Sequence, residues 1–393
     1  MSTQAARSIR FTHTFPQQGF RLLELPPELL ELLSSDDPPT LLLKSPPPEA
    51  YQSTADSSGA REYVNLCTPT KTFRLRQVQS SNSIHLIRPS NGSIPSDNGD
   101  AELDLTETVT AIAKCGSTLE LHTLEEGFSA TQFLERSLKL YDWLSVDGDV
   151  QMGEGGGLGS ALTLSERKRV KEEILRDVPM SVSECESAWK ELCAFVHSDT
   201  TTGDNSGLTG FRPSARVKLD VWKRMVEGSV LQGIDMEKQF LVKDLWKAVL
   251  DEDGEEPFPQ PLFEAVVRRL AESSGSNDAQ AYDSELKWSN LDKVVSIRWV
   301  GETYLEVSAP TAASAIGRTE FINGWKDLLP ESWRDQATLD ALTEGTYKYP
   351  DPTSICFVYE SERQKMKKES SAGGATAKNS RNWHERFKNQ RRQ

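Results

Sequence analysis

No apolar run in this sequence approaches the roughly 18 residues needed to span a bilayer. The first residues are polar, so no secretory leader is expected, and neither is a membrane. Cysteine is scarce. Five in 393 residues, an odd number without tight spacing, exclude a disulfide framework and suit a reducing compartment, cytosol or nucleus. The signatures of catalysis are missing too. Gly153, Gly155, Gly156, Gly157 and Gly159 fit neither dinucleotide nor P-loop spacing, and no Gly-Lys-Ser/Thr follows, so they read as linker. No serine has the G-x-S-x-G elbow and no histidines pair as H-x-x-x-H. Cys193 and His197 stand one helical turn apart, but zinc needs three or four ligands. Cys185 and Cys193 share an apolar helical face and read as core. The expectation is a protein that is not an enzyme and has no cofactor or metal.

A basic surplus is also absent. The chain carries 45 basic and 59 acidic residues, a net charge of -14. The imbalance is uneven. Residues 361–393 hold ten Lys/Arg against three Asp/Glu, or +7, which leaves 35 basic and 56 acidic residues, or -21, on the rest. A body so acidic argues against a general nucleic-acid coat and leaves a local contact to the tail.

What is present begins with a strand rhythm over the first 125 residues. Phe20–Leu25, Thr40–Lys44, Tyr63–Cys67, Thr72–Val78, Ser83–Arg88, Thr108–Lys114 and Thr118–Leu121 are short β-branched and apolar runs, separated by turn material such as Asn91-Gly92. Seven such strands predict a barrel or sandwich. Pro26-Pro27 before Leu29–Leu33 predicts a brief helix. From about residue 129 the period becomes helical. Thr131–Trp143 reads as one helix and Leu164–Leu175 as another. Ser198–Gly210 reads as a loop, followed by helices over Leu219–Val226, Leu241–Leu250 and Leu262–Leu270. A helix capped by Asn290 or Ser289 precedes two more, marked by Phe321 and Trp325 and by Leu339 and Leu342. A hairpin then turns at Pro350–Thr353 between Tyr347 and Phe357. Three short helices before a two-stranded ribbon is the winged-helix pattern. With possible wings at Gly210–Lys218 and Tyr282–Trp288, the fold class expected is multidomain α+β. Its parts are a β-rich region 1–128, winged-helix units at 129–213, 214–290 and 291–360, and a disordered basic tail 361–393.

A DNA-reading helix offers Arg, Lys, Asn or Gln to the groove. The last unit's third helix sits instead among Glu331, Asp335, Asp340 and Glu344, so these units are expected to be mainly protein-binding modules. Arg268 and Arg269 are candidate phosphate contacts in the middle unit. In the tail, Lys365, Lys367, Lys368, Arg381, Arg386, Lys388, Arg391 and Arg392 interleave with Trp383 and Phe387, a pattern suited to stacking on bases while cations follow phosphates. A solvated or nuclear-targeting tail is the plainer alternative.

The N-terminal motifs carry a resemblance. Phe20-Arg21-Leu22-Leu23-Glu24-Leu25-Pro26, the strand ending Leu43-Lys44, Leu66-Cys67-Thr68, Lys71-Thr72-Phe73 and Ser81-Asn82-Ser83-Ile84, in that order and spacing, resemble the sister chromatid cohesion protein Dcc family. That family is a non-catalytic subunit of an alternative, cohesion-type replication factor C clamp loader. The likeness covers roughly residues 18–125 well and continues loosely through Phe321–Glu331 and Ile355–Val358. The loops at 45–60 and 146–160 and the basic tail depart from it. The resemblance implies N-terminal strands that join a small partner subunit and the C-terminal tail of the large AAA+ subunit in a shared β-barrel. Interface candidates there are Leu22, Leu23, Leu66, Phe73, Leu75, Ile84 and Leu86. It implies further contacts to DNA polymerase epsilon and DNA, and action with the replication factor C small subunits to load or unload the PCNA sliding clamp. The setting implied is replication forks in the nucleus, in support of sister chromatid cohesion. The competing classes are a stand-alone winged-helix DNA-binding regulator and a scaffold of an unrelated winged-helix complex.

Overall fold

The computed structural model describes residues 10–45, 64–90, 108–124, 128–142, 163–198, 207–251, 253–272 and 286–363. The chain divides into two units. One comprises Met1–Phe128 with Pro179–Val182, and the other Ser129–Val178 with Ser183–Gln393. The loops at 46–60 and 146–160 and tail residues 364–393 lie outside the described residues.

The first unit is one curled sheet of half-barrel form. Its elements are β1 (Arg10–Gly19), β2 (Leu22–Leu23), α1 (Pro27–Leu33), β3 (Leu42–Lys44), β4 (Val64–Cys67), β5 (Thr72–Ser90) and β6 (Thr108–Thr123). The strand order is β1-β6-β5-β4-β3, with β2 also on β6. β1 and β2 run parallel to β6, and the other pairs are antiparallel. Leu66 and Phe73 face one another across β4 and β5. They bury their side chains with Leu29 of α1, whose Pro27 needs no helical donor in the first turn. Pro179–Val182 is bound to these strands by three hydrogen bonds. The Asn65 amide donates to the Pro179 carbonyl at 2.7 Å, Lys44 Nζ to the Met180 carbonyl at 3.0 Å, and the Ser181 N–H to Thr72 Oγ1 at 2.7 Å.

Several expected strands prove to be parts of longer ones. Thr72–Val78 and Ser83–Arg88 are both β5, and Thr108–Lys114 and Thr118–Leu121 are both β6. Register shifts between Gln79 and Ile84 and between Leu86 and Ile87 let the long strands continue where the apolar rhythm breaks. Phe20–Leu25 contracts to Leu22–Leu23, next to two prolines that cannot donate to a ladder. β1 was not signalled, because Thr and Gln dilute its apolar alternation.

In the second unit, one series of elements occurs three times: a helix, a short strand, helices, then closing strand or strands. The first series is α2 (Ala130–Ser137), β7 (Lys139–Tyr141), α3 (Leu164–Asp177), α4 (Val182–Glu191), β8 (Phe195–Ser198) and β9 (Leu208–Pro213). The second is α5 (Ala215–Gln232), β10 (Phe240–Leu241), α6 (Val242–Val249), α7 (Gln260–Leu270) and β11 (Trp288–Ser289). The third is α8 (Lys293–Ser308), β12 (Ile316–Gly317), α9 (Arg318–Asp327), 3-10 turns Glu331–Gln336 and Leu339–Ala341, and the expected hairpin β13 (Tyr347–Lys348) and β14 (Ser354–Phe357). The strands form three small sheets, β7-β9-β8, β10-β11 and β12-β14-β13.

Differences from the sequence reading have local causes. The helix Thr131–Trp143 stops at Ser137 because Lys139–Tyr141 pairs with Phe211–Pro213. The supposed loop Ser198–Gly210 is flanked by β8 and β9, which pair as a hairpin. A wing at Gly210–Lys218 is precluded beyond Pro213, since Ser214 Oγ accepts from the Val217 N–H and starts α5. Trp288 does lie in a strand, while 282–285 fall outside the described residues. The cap of α8 is Asp292, bonded to the Val295 N–H at 2.9 Å, whereas the Asn290 amide turns to Glu272. The last unit's third helix is only the two 3-10 turns.

One apolar cluster runs from Cys193 to Cys356 and joins the second and third series. The Trp222 indole of α5 donates to the Leu328 carbonyl at 2.9 Å, and its ring lies 6.0 Å from Trp333. Gly301 of α8 is required there, because a Cβ would stand 2.5 Å from Trp325.

Candidate functional site

The first unit leaves unusual apolar surface uncovered. β5 and β6 continue beyond the small core around Leu66 and Phe73 as a ribbon, with β1 on the far side of β6. Opposite Leu86 and Ile87 stand Ala113 and Ala111, so the register skips Ile112 and the irregularity falls on β6. β5 itself stays regular there, and successive side chains must project to opposite faces. Ile84 and Leu86 therefore share one face and Ile87 takes the other, beside the ring cluster of Phe11, His13 and His85 at centroid distances of 4.9–6.4 Å. Exposures of 49% for Phe11, 41% for Ile84 and 52% for both Leu86 and Ile87 show apolar side chains bare on both faces. An antiparallel sheet usually has one apolar and one wet face. A ribbon apolar on both faces lacks a cover on both among the described residues.

The sheet's ends repeat the feature. Leu42 and Leu43 of edge strand β3 are exposed, as are Leu22 and Leu23 of β2. Among the described residues β3 pairs only with β4, so one side of its backbone is open to another strand. Of the interface candidates, Leu22, Leu23, Ile84 and Leu86 lie on this exposed surface and Leu75 is half-buried. Leu66 and Phe73 are buried with Leu29 in the unit's own core. Phe11, Leu42, Leu43 and Ile87 belong to the exposed set and were missed. The run Leu41-Leu42-Leu43 was the available signal, since an edge strand apolar on successive residues cannot bury both faces alone.

The two candidate arginines of α7 part company. Arg268 lines a groove with Arg167, Lys168 and Lys171 of α3, floored by Trp189, Phe195 and Val196. Arg269 lines a separate cleft between α5 and α8. α3 is started by a full capping box. Thr163 Oγ1 accepts from the Glu166 N–H, and the Glu166 carboxylate accepts from the Thr163 N–H, which holds that carboxyl below its ordinary range. The helix then presents three cations in five residues along the groove. Lys171 is buried, paired with Glu186 at 2.5 Å and 5.9 Å above the Trp189 ring. Burial, then the charge of Arg167, pushes the pKa of nearby His197 down. The groove is cationic, with Glu264 as its single acidic lining residue among the described residues, a setting suited to phosphate. Arg167 and Lys168 do not stand out in sequence because α3 mixes its five basic residues with Glu166, Glu172, Glu173 and Asp177. The tail candidates Lys365, Lys367, Lys368, Arg381, Arg386, Lys388, Arg391 and Arg392 lie outside the described residues.

Among the described residues no three His, Cys, Asp or Glu side chains gather as a metal site, and no helix is long and apolar enough to cross a membrane. All five cysteines are buried free thiols, and burial pushes Cys193 up, away from reactivity. The arrangement offers surfaces for association. A family model described as sister chromatid cohesion protein Dcc1 matches residues 20–362. No curated protein matches the chain.

Proposed function

The chain belongs to the sister chromatid cohesion protein Dcc1 family, and from that premise we propose that it acts as a non-catalytic subunit of a cohesion-type replication factor C clamp loader. Family membership carries the role in cohesion and hence a chromosomal setting. The loader complex is the finer reading, and one observation supports it above others: the open sheet, apolar on both faces of its ribbon and unpaired at β3. Strands of a small partner subunit and of the large AAA+ subunit's C-terminal tail would complete this half-barrel and cover those residues. ATP hydrolysis would then fall to other subunits, and the assembly would load or unload PCNA at replication forks.

The three helix–strand series serve in this reading as winged-helix modules that reach DNA polymerase epsilon, with the Arg268 groove and the basic tail as local DNA contacts. The test is co-expression of the full chain with those two partners, followed by size-exclusion chromatography. A stable ternary complex is expected. If the chain elutes alone at moderate salt while retaining DNA affinity, the loader reading fails and a stand-alone DNA-binding regulator replaces it.

A further inference from the structure

A cleft of about 780 Å³ in the second unit carries chemistry that the proposed role does not use. Its walls come from α2, the β9–α5 junction, α8, the end of β14 and the helical turn 360–363. Carboxylates and cations face each other across it without closing. Glu306 of α8 makes no ion pair or hydrogen bond among the described residues, although Lys218 and Arg212 are near enough to perturb it. Burial pushes its carboxyl up. Glu302, one helical turn earlier on the same wall, receives only the Thr343 N–H among the described residues. Six carboxylates and five cations line the cleft, and two of the cations are held by lining residues: Arg212 Nε donates to the Glu135 carbonyl, and Arg363 pairs with Glu360 at 2.7 Å. Phe357, Tyr359 and Trp299 supply aromatic surface.

The chain itself points to an occupant. After β14 the backbone turns at Tyr359, whose carbonyl accepts from the N–H groups of Glu362 and Arg363, and Arg363 lines the cleft. Arg363, the last described residue, therefore stands at the cleft wall. The following 30 residues contain nine Lys/Arg against Glu369 and Glu385, with Trp383 and Phe387. Lys365, Lys367 and Lys368 lie within about 20 Å of Arg363 even for extended chain. A tether this short holds its cations at roughly millimolar effective concentration beside Glu302 and Glu306.

We propose that this cleft is the intramolecular docking site of the chain's own basic segment 364–393, with Glu306 and Glu302 receiving lysine or arginine side chains. Docking withholds those cations from other polyanions, so the tail becomes available to nucleic acid only when it leaves the cleft.

The test treats the full chain with a zero-length carbodiimide and maps amide cross-links by mass spectrometry. Cross-links from Lys365, Lys367, Lys368, Lys378 or Lys388 should concentrate on Glu135, Glu302 and Glu306, and fall at least fivefold in 0.5 M salt, about three times the ionic strength of physiological buffer. In Glu306→Gln those remaining to Glu135 and Glu302 should fall several-fold, and trypsin should cut the tail faster than in wild type. A mixture of isotopically light and heavy chains separates cis from trans contact. Cross-links scattered over exposed carboxylates elsewhere, cross-links found only between light and heavy chains, or tail cleavage equally fast in wild type and Glu306→Gln would each overturn the proposal. Glu302→Gln serves as the second variant should Glu306→Gln fail to fold.

Discussion

Replacing Leu86 and Ile87 by alanine should weaken partner binding while leaving the chain folded. Both side chains are about half exposed, on opposite faces of the ribbon. Complete burial of such a side chain is worth ~1.5–3 kcal/mol, so covering the exposed half contributes about 0.8–1.5 kcal/mol for each. The double variant should lose about 1.5–2.5 kcal/mol of association free energy, a weakening of roughly 10- to 60-fold. Its own unfolding should move by no more than ~0.5 kcal/mol, as for substitutions outside a core. Leu66→Ala is the contrast. That side chain is buried against Leu29 and Phe73, and its truncation should cost ~2–5 kcal/mol of stability. The assays are calorimetric titration of the full chain with the co-expressed partner pair, and urea unfolding of the free chain. A double variant that binds within twofold of wild type would remove the ribbon from the interface. One that unfolds as readily as Leu66→Ala would show that the ribbon is core already.

Asn65→Ala leaves the buried Pro179 carbonyl without its donor, and Thr72→Val removes the acceptor of the Ser181 N–H. Each should cost ~1–3 kcal/mol in urea unfolding, and because both bonds hold one segment their costs should couple by at least ~0.5 kcal/mol; strict additivity would refute the shared role. Arg268→Ala and Arg167→Ala should each lower DNA affinity and reduce the salt slope by about 0.9, whereas Arg269→Ala, in a different cleft, should change neither. Fluorescence anisotropy across a salt series checks this, and an equal effect of all three would deny the groove its role. The Asp351 carboxyl is held well below the carboxylate range by the Ser354 and Thr353 hydroxyls and their N–H groups in the β13–β14 turn. A depressed folded pKa stabilises above the unfolded value near ~4 and is lost as pH falls. The melting gap between wild type and Asp351→Asn should therefore be constant above about pH 5 and close on acidification; a gap that widens in acid would contradict the hydrogen-bond account.

Legibility in the sequence follows what each residue has to satisfy. Leu66, Phe73, Trp325 and Ile355 were readable as apolar positions because periodicity reports burial, and each is buried. Chain partners were less readable. Lys139–Tyr141 continues a helical period but pairs with β9, about 70 residues away in sequence, and no local pattern encodes that pairing. The long strands β5 and β6 were cut in two, because bulges let strands pass places where alternation stops. At the interface the difficulty is sharper. Leu66 and Leu86 look alike in sequence, both apolar residues in strands, yet one is core and the other bare. Leu29 of α1 packs with Leu66, whereas Leu86 lies outside that cluster. The Arg268 groove was half seen, since its other cations lie on a helix whose five basic residues are nearly balanced by four acidic ones.

The two units differ in how far each can stand alone. The second fully buries Trp222, Trp325, Trp333, Phe263 and Phe321 and joins its second and third series through one core. Among the described residues, the first clusters Leu29, Leu66 and Phe73, buries mainly small side chains such as Ala111, Ala113 and Cys115 besides, and leaves Phe11, Leu42, Leu43, Leu86 and Ile87 exposed. A small core under a large sheet gives marginal stability. A partner that binds only the folded sheet adds RT ln(1 + [L]/Kd), about 2.7 kcal/mol at a hundredfold excess over Kd. That increment is a large share of what a domain this size ordinarily has. Completing the sheet would thus act as recognition and as folding in one step, and absence of the partner would expose the β3 edge to pairing with other chains. The apolar residues that look misplaced on the free sheet would then be the ones through which assembly adds to its stability.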